Sequence, residues 1–237
     1  MFISVVIPAY NEARYIGDCL EALQAQTYPP QQFEVIVVDN GSSDDTARLA
    51  RAYGARGVTE LKKGVALARQ RGFREARGPI IASTDADTRV PPWWLERIAV
   101  DFAREQALGG ACGPVYFADG RLHERLIMRY PVTWAMSLAN RLGHTLWGGS
   151  NFAVRAEVFW QVGGFSGFDN AGLAGEDIYL AQQLRRVTRL LFDPRLAVYT
   201  SARRTREGYA SILRRNAVSL ARVALLRQSP LPWPDIR

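Results

Sequence analysis

Three largely apolar runs rich in β-branched residues, with polar or acidic residues close behind each of them, limit the fold of this chain more than any other feature. They occupy residues 2–7, 33–38 and 80–84. Largely apolar runs of this length are typical of strands buried on both faces, as in a parallel sheet covered by helices. We therefore predict three central strands, the first of which ends at Pro8, because proline cannot donate to a continuing ladder.

The segments between these runs have the spacing of helices. Apolar residues recur every three or four positions over residues 16–23, residues 42–45 offer capping side chains for a second helix, and residues 65–76 form a third. Strands and helices in alternation indicate an α/β fold: a doubly wound, mostly parallel sheet with helices on both faces.

The second part of the chain is less regular. The predicted elements there are a strand over residues 111–117, a mainly helical stretch over 122–142 interrupted by Pro131, a helix over 176–186, and strands near 190–192 and 197–200. The length of 237 residues suits one large domain made of two fused halves, which we place at residues 1–110 and 111–202.

The positive charge of the chain is concentrated at its end. Of a formal net charge of +7, residues 203–237 hold eight arginines against one Glu and one Asp. We predict a basic C-terminal helical arm there, with its helix over residues 205–228. Two interpretations stay open, docking on the globule or peripheral contact with an anionic membrane surface. Aromatic stacking residues are sparse in the arm, so we expect no nucleic acid as a partner.

Cysteine content and hydropathy bear on location. Cys19 and Cys112 are too few for a disulfide framework, and we expect two buried thiols in a reducing compartment. The first residues have no basic leader, and no run of ~18 apolar residues occurs. The expectation is a cytoplasmic protein, with peripheral contact at the inner face of the plasma membrane as the alternative.

Polar clusters follow the three predicted central strands. They are residues 10–12, 39–40 and 85–87. Ligands bind beyond the carboxyl ends of strands in open parallel sheets, so these clusters predict one site. Neither the Gly-x-Gly-x-x-Gly fingerprint nor a phosphate loop is present, which excludes the common dinucleotide and P-loop classes. Asp85 and Asp87 are spaced to place a carboxylate on Mg²⁺ or Mn²⁺, which takes diphosphate oxygens as further ligands.

At this point the sequence resembles a known family, the nucleotide-sugar glycosyltransferases of family 2, which have the GT-A fold. The motifs lie in the family's order over about residues 2–204. They are VVIPAYNE at 5–12, VVDNGSSDDT at 37–46, KGVALARQRG at 63–72, DAD at 85–87, the segment 149–165 that ends in Gly-Gly-Phe, and GED at 175–177.

The resemblance implies a role for each matched residue on the donor side. Pro8, Tyr10 and Glu12 would line the nucleoside pocket, Asp39 would accept a hydrogen bond from the base, Asp85 would face the ribose and Asp87 the metal. The remaining donor-binding candidates are Gly64, Ala86, Arg203 and Arg204. For Glu12 the alternative is a carboxylate that complements the first turn of a helix.

The resemblance also implies the catalytic pair. Asp177 would be the general base that takes the proton of the acceptor hydroxyl, and Glu176 would orient it. The alternative is that both carboxylates only complement the dipole of a helix. Trp147, with Gly148 and Gly149, offers an aromatic face to an acceptor sugar, and core packing is the alternative for this tryptophan.

Departures from the family pattern refine these expectations. A histidine that relatives often carry just before the paired arginines is absent, so the metal would rely on Asp87, diphosphate and water; we expect His123 and His144 to be structural or exposed. The Gln-x-x-Arg-Trp motif of processive synthases is also absent, which favours single transfers.

The predicted function is inverting transfer of a sugar from a UDP- or GDP-linked donor to a hydroxyl of a saccharide or polyprenyl-linked acceptor, as in the building of cell-envelope polysaccharide. The alternatives are a catalytically silent nucleotide-binding protein of the same fold, which would be expected to lack Asp87 or Asp177, and a nucleotidyltransferase. A nucleotidyltransferase would have a glycine-rich basic signature after the first strand, where this chain has residues 8–12.

Overall fold

The computed structural model describes residues 1–143, 147–166, 168 and 175–203. The strands in that part of the chain are β1 Ile3–Ala9, β2 Phe33–Asp39, β3 Arg56–Thr59, β4 Ile80–Ser83, β5 Thr88–Arg89, β6 Leu108–Cys112, β7 Val115–Phe117, β8 Phe152–Arg155, β9 Arg189–Phe192 and β10 Val198–Thr200. The α-helices are α1 Ile16–Gln24, α2 Thr46–Ala52, α3 Val65–Glu75, α4 Trp94–Arg104, α5 Leu122–Ile127, α6 Thr133–Arg141, α7 Ala156–Gln161 and α8 Glu176–Leu184.

Seven strands of the described residues form one central sheet in the order β3-β2-β1-β4-β8-β6-β9. All its neighbours pair in parallel except β8, which runs antiparallel between β4 and β6. The predicted doubly wound, mostly parallel α/β sheet is therefore confirmed. A boundary after residue 110 falls inside β6, and β8 inserts beside β4, so the two predicted halves share this sheet.

The central strands are buried on both faces, as their apolar sequences predict. In β1, Ile3, Val5 and Ile7 pack with α1 and α4 on one face, while Val6 packs with Phe73 and other aromatic residues on the opposite face. Every residue of β1 is buried. Cys19 and Cys112 are free and buried, which confirms the prediction for both thiols.

The end of β1 differs from the prediction. The strand continues through Pro8 to Ala9, where Pro8 lies opposite Val38 of β2. The ladder with β4 ends at Val6, so no amide of Pro8 is required on that side. Proline is tolerated at this position for the same reason that it is tolerated on an edge strand.

The predicted strand over residues 111–117 is also wrong as a single element. It divides at Gly113 and Pro114 into β6 of the central sheet and β7 of a second, three-stranded sheet with the order β5-β10-β7. A Cβ atom on Gly113 would lie 1.9 Å from the Leu196 carbonyl oxygen, so only glycine permits this close passage. Pro114, which lacks an N–H, then begins the change of direction.

The stretch over residues 122–142 is helical, as predicted, and Pro131 lies in a π-helical turn, Met128–Val132, that joins α5 to α6. Within the described residues no helix is long and apolar enough to cross a membrane. The predicted helix at residues 205–228 lies outside the described residues.

Candidate functional site

The carboxyl ends of the parallel strands bring the predicted polar clusters to one edge of the sheet. Asp39 ends β2 directly opposite Ala9, and Asp85 and Asp87 follow β4 on the other side of β1. One Asp39 carboxylate oxygen accepts a hydrogen bond from the Ser42 amide at 3.1 Å. The convergence follows from parallel pairing, because all strand ends of one direction meet at one edge.

Asn40 fixes the loop that follows β3. Its side-chain amide donates to the carbonyls of Glu60 and Lys62, both at 2.8 Å, and its oxygen accepts from the Gly64 amide at 2.8 Å. Gly64 has φ of +141°, which favours glycine. The Lys63 ammonium then lies 3.5 Å from the centre of the Tyr10 ring, a cation–π contact across the expected nucleoside pocket.

Arg203 joins two of the predicted donor-site carboxylates. Its guanidinium makes a two-pronged ion pair with Glu12, with one N···O distance of 2.9 Å, and lies 3.0 Å from a carboxylate oxygen of Asp87. The Thr200 hydroxyl donates to the other Asp87 oxygen at 3.2 Å. Thr200 was not predicted from the sequence, and it lies close to the position at which relatives often carry a histidine.

The contacts of Glu12 bear on its alternative role. Helix α1 begins four residues later at Ile16, and the Glu12 carboxylate binds Arg203 instead of the helix N-terminus. Burial raises the pKa of Glu12, although the ion pair with Arg203 opposes that shift. These contacts do not match the first-turn interpretation.

A second arginine, Arg69, connects Asp85 to the predicted catalytic pair. Asp85 lies at the carboxyl edge of the sheet, where the predicted donor-binding residues meet, and we call this edge the donor edge. Its side chain is 2% exposed. It donates to Asp85 at 2.6 Å, to the Gly149 carbonyl at 2.9 Å and to a Glu176 oxygen. The Ser150 hydroxyl donates to the other Asp85 oxygen at 2.5 Å.

Arg69 lies inside one of the quoted motifs, but its role was not predicted. A signal exists in its position, three residues after Ala66 and four before Phe73, which are both buried on the sheet-facing side of α3. An arginine at that spacing must find buried partners.

Glu176 and Asp177 begin α8 and have different surroundings. Glu176 is buried, pairs with Arg69 and accepts a hydrogen bond from the Gly175 amide at 3.0 Å. Asp177 is partly buried, and one of its oxygens accepts from the Ile178 amide at 2.8 Å. Burial and the neighbouring Glu176 carboxylate raise the pKa of Asp177 to about 7, while Arg69 opposes the shift. Asp177 is thus a carboxylate that exchanges a proton near neutral pH.

Trp147 lies in the core of the described structure. It is 4% exposed and stacks on Phe152 with ring centroids 5.2 Å apart. This is the arrangement of the packing alternative, because a buried ring has no free face for a sugar. Gly149 binds Arg69 through its carbonyl, and a Cβ atom there would lie 3.0 Å from the guanidinium. Gly148 adjoins Val115, which a Cβ atom would meet at 3.5 Å.

The structure also places three other predicted residues. Pro8 is buried in β1 and Ala86 is buried between the two aspartates. His123 is exposed on α5. Arg204 and His144 lie outside the described residues.

The side-chain atoms near Asp87 that could ligate a metal are hard oxygen atoms. Carboxylates of Asp85 and Asp87 and the Thr200 hydroxyl line this edge, while no group of three or more His, Cys, Asp or Glu side chains arranged to hold a metal occurs within the described ranges. Mg²⁺ or Mn²⁺ held by one or two carboxylates, with substrate phosphates completing the shell, fits such a set. A cavity of about 140 Å³ adjoins Asp87 and is lined by Cys19, Asp119 and Ser201 among others.

A mostly parallel sheet with carboxylates gathered at its carboxyl edge is the architecture of the GT-A fold. The sequence profile described as Glycosyl transferase family 2 matches residues 4–168. The match covers more than half of the chain, and the chain belongs to this family.

Relatives of known name support the same assignment. Glycosyltransferase AglE of Haloferax volcanii is 33% identical over an alignment of 187 residues that covers 75% of this chain and 59% of that protein. Validoxylamine A glucosyltransferase of Streptomyces hygroscopicus subsp. limoneus is 30% identical over 227 residues, covering 77% of this chain and 47% of the relative. The chain therefore spans about half the length of these curated relatives.

Solved structures share the fold. The Pyrobaculum calidifontis mannosyltransferase in complex with GDP-Man and Mn²⁺ has a TM-score of 0.73 at 23% identity, covering 97% of this chain and 65% of its own. S. aureus TarS in complex with UDP-GlcNAc has a TM-score of 0.66 at 21% identity, with 85% and 58% covered. At these identities the likeness is one of fold.

Proposed function

We propose that the protein is an inverting glycosyltransferase that moves a sugar from a nucleoside-diphosphate donor to a hydroxyl group of a saccharide or polyprenyl-linked acceptor. The observation that supports this most is the Arg69 network. Through one buried guanidinium it holds Asp85, on the donor edge, and Glu176, next to Asp177, in a single hydrogen-bonded unit. Donor carboxylate and candidate base thereby keep a fixed separation, which a displacement reaction requires.

In the proposed reaction the nucleotide lies along the carboxyl edge of the sheet. Asp39 accepts a hydrogen bond from the base, Asp85 faces the ribose, and Pro8 and Tyr10 contact the nucleoside. Asp87, the diphosphate and water would together hold Mg²⁺ or Mn²⁺. Such a cation, when bound, neutralises charge on the departing diphosphate. Arg203 and Arg204 are placed in sequence to add positive charge at the same end.

The chemical step forms one bond and breaks one. The acceptor oxygen attacks the anomeric carbon from the face opposite the diphosphate, the bond from that carbon to the diphosphate oxygen breaks, and the nucleoside diphosphate leaves with the electron pair. Asp177 takes the proton of the attacking hydroxyl, and a single displacement of this kind inverts the configuration. A base whose pKa is near the working pH is the most effective acceptor of this proton.

The environment of the two carboxylates favours Asp177 over Glu176 as the base. Both oxygens of Glu176 already have partners, one in the buried ion pair with Arg69 and the other at the Gly175 amide. Asp177 has a raised pKa, and within the described residues its carboxylate accepts a hydrogen bond from the Ile178 amide and forms no ion pair of this kind. We assign Glu176 the positioning role and Asp177 the proton transfer.

The donor side is tested by calorimetry of UDP and GDP, each with and without Mn²⁺, on the wild-type chain, Asp87→Asn and Glu105→Gln. Glu105 is the control, because it pairs with Arg189 just before β6, at the opposite edge of the sheet. One of the two nucleoside diphosphates should bind to the wild type and to Glu105→Gln with Mn²⁺ raising the affinity by about tenfold or more, and Asp87→Asn should lose that enhancement. Binding that ignores Mn²⁺ in the wild type, or an unchanged Mn²⁺ effect in Asp87→Asn, would contradict the assignment.

A further inference from the structure

Large apolar side chains recur at every fourth position along α5, the π-helical turn and α6, and they are exposed. The exposed fraction is 71% for Leu122, 68% for Trp134 and 68% for Leu142. The complete row is Leu122, Leu126, Tyr130, Trp134, Leu138 and Leu142. Single exposed apolar residues are ordinary, but a continuous row of six marks a surface that contacts something other than water.

The π-helical turn keeps this row on one side of the helix. In a regular α-helix, residues four apart are displaced by about 40° around the axis, so a row of six would wind around to the opposite face. A π-helical turn winds less per residue, because its hydrogen bonds span five residues, and the turn at Met128–Val132 takes back part of the displacement. Leu126, Tyr130 and Trp134 are thereby brought close to one line. We call the surface formed by these six side chains the apolar row.

Positive charge borders the apolar row on one side. Arg121, Arg125, Arg129 and Arg141 each precede a member of the row by one residue, and all four are exposed. The acidic residue of the segment, Glu124, is buried, and its carboxylate accepts the Arg121 amide at 2.6 Å. The solvent-facing side of the segment is thus apolar along its middle and cationic along one edge.

We propose that the apolar row is a docking surface for an anionic membrane leaflet. A helix that lies in the membrane interface has leucine and aromatic residues on one face and arginine on the adjoining face, which is the pattern here. Tyrosine and tryptophan, both in the middle of the row, favour the level of the lipid headgroups. The arginines complement anionic headgroups.

Charge also argues against two other occupants. Residues 204–237 hold seven arginines against Glu207 and Asp235, so this segment would bring positive charge to an edge that is already positive. A second copy of the chain would place the same arginine edge against itself. An anionic leaflet is the occupant whose charge is opposite.

The surface is connected to the site through the small sheet. The Thr133 hydroxyl of α6 is 3.5 Å from the Tyr116 hydroxyl of β7, and the Tyr116 ring packs on Tyr199 of β10 at 5.9 Å between centroids. The next residue, Thr200, donates to Asp87. Docking would therefore hold the donor edge near the membrane surface. This inference goes beyond the proposed function, and its test does not depend on activity.

The first experiment measures partitioning of the full chain to vesicles of phosphatidylcholine alone and of phosphatidylcholine with about one third phosphatidylglycerol, at low and high salt. The variants are Trp134→Ala and the matched control Trp93→Ala, since Trp93 is 55% exposed at the start of α4 and outside the row. We expect salt-sensitive binding to the anionic vesicles, lowered by about tenfold in Trp134→Ala and unchanged in Trp93→Ala. Equal losses in both variants, or no binding by the wild type, would overturn the proposal.

The second experiment locates the contact. Both native cysteines are buried, so a cysteine introduced as Leu138→Cys or, as control, Trp93→Cys offers the reactive thiol for an environment-sensitive fluorophore. Anionic vesicles should shift the emission of the label at position 138 to the blue and leave position 93 unchanged. A label at 138 that is already shielded without vesicles would mean that residues 204–237 or a second copy covers the row, with dependence on protein concentration identifying the second copy. Either result would overturn membrane docking.

Discussion

Arg69 and Arg203 each bridge two carboxylates of the site, but they do so in different surroundings. Arg69 lies in α3, is 2% exposed, and connects Asp85 with Glu176. Arg203 lies at the end of the described chain, is 18% exposed, and connects Glu12 with Asp87 beside the cavity. In the first bridge the Arg69 and Glu176 side chains are buried, although Asp85 is 25% exposed, and the second bridge borders the space where a ligand would bind.

This difference in exposure indicates different roles for the two arginines. A buried ion pair must stay satisfied, because an uncompensated charge in the interior is very costly. A pair at the edge of a cavity can exchange partners, because water and ligand groups replace what is lost. We therefore interpret Arg69 as a fixed part of the scaffold. We interpret Arg203 as a cation that neutralises Glu12 and Asp87 until a bound metal ion takes its place beside Asp87.

The largest expected effect is the loss of the Arg69 bridge. Arg69→Met leaves Asp85 and Glu176 without their buried partner and should lower the free energy of unfolding by about 3–5 kcal/mol. Arg71→Met is the control on the same helix, because Arg71 is 45% exposed and pairs with Glu75 one turn away, which is worth about 0.5 kcal/mol or less. Urea unfolding of both variants measures the difference, and similar losses would show that the bridge has no special weight.

A smaller effect of opposite sign is expected for Asp177→Asn. The pKa of Asp177 is raised to about 7 in the folded state, whereas an unfolded aspartate titrates near 4. The wild type therefore loses stability as pH rises through this window, and the neutral amide does not. Asp177→Asn should be more stable than the wild type by on the order of 2 kcal/mol at pH 8, with the gain shrinking toward pH 4.

Thermal melts of wild type and Asp177→Asn between pH 4 and pH 8 measure this gain. The interpretation of Asp177 as a residue that only complements the helix dipole predicts the reverse, a loss of stability on removal of the charge. A variant less stable than the wild type at pH 8 would thus support the structural alternative.

The smallest effect concerns Arg203. Arg203→Met leaves the Glu12 and Asp87 carboxylates without their cation, so Mn²⁺ binding in the absence of nucleotide should strengthen, by about tenfold at most. The control is Arg189→Met, whose partner Glu105 lies outside this cavity. Electron paramagnetic resonance of free Mn²⁺ during titration reports the affinity. Equal Mn²⁺ affinity in the wild type and both variants would remove the distinction between the fixed and the exchangeable bridge.

The donor edge could be predicted from the sequence because it depends on local pattern. Each apolar run predicts a buried strand, and parallel strands that end in Asp39 or Asp85 must present those residues at a common edge. The GED motif likewise placed Glu176 and Asp177 at the start of a helix, where the structure has them.

The bridges could not be predicted because they depend on contacts between distant parts of the chain. The spacing of Arg69 in α3 indicates burial, but it does not identify the partner, because Glu176 lies 107 residues later in the chain. The division of residues 111–117 has the same origin, since it follows from the approach of Leu196 to Gly113. The exposure of the apolar row was also hidden, because apolar residues at helical spacing usually face a core.

The account depends most directly on Asp177 as the proton acceptor. The decisive measurement is release of nucleoside diphosphate by wild type and Asp177→Asn at saturating donor, with the acceptor that gives the fastest wild-type turnover, alongside calorimetric affinity for the nucleotide. We predict that Asp177→Asn lowers turnover by about 10²–10⁴-fold while nucleotide affinity stays within about twofold. Turnover within about threefold of the wild type would contradict the assignment and make Glu176 the next candidate.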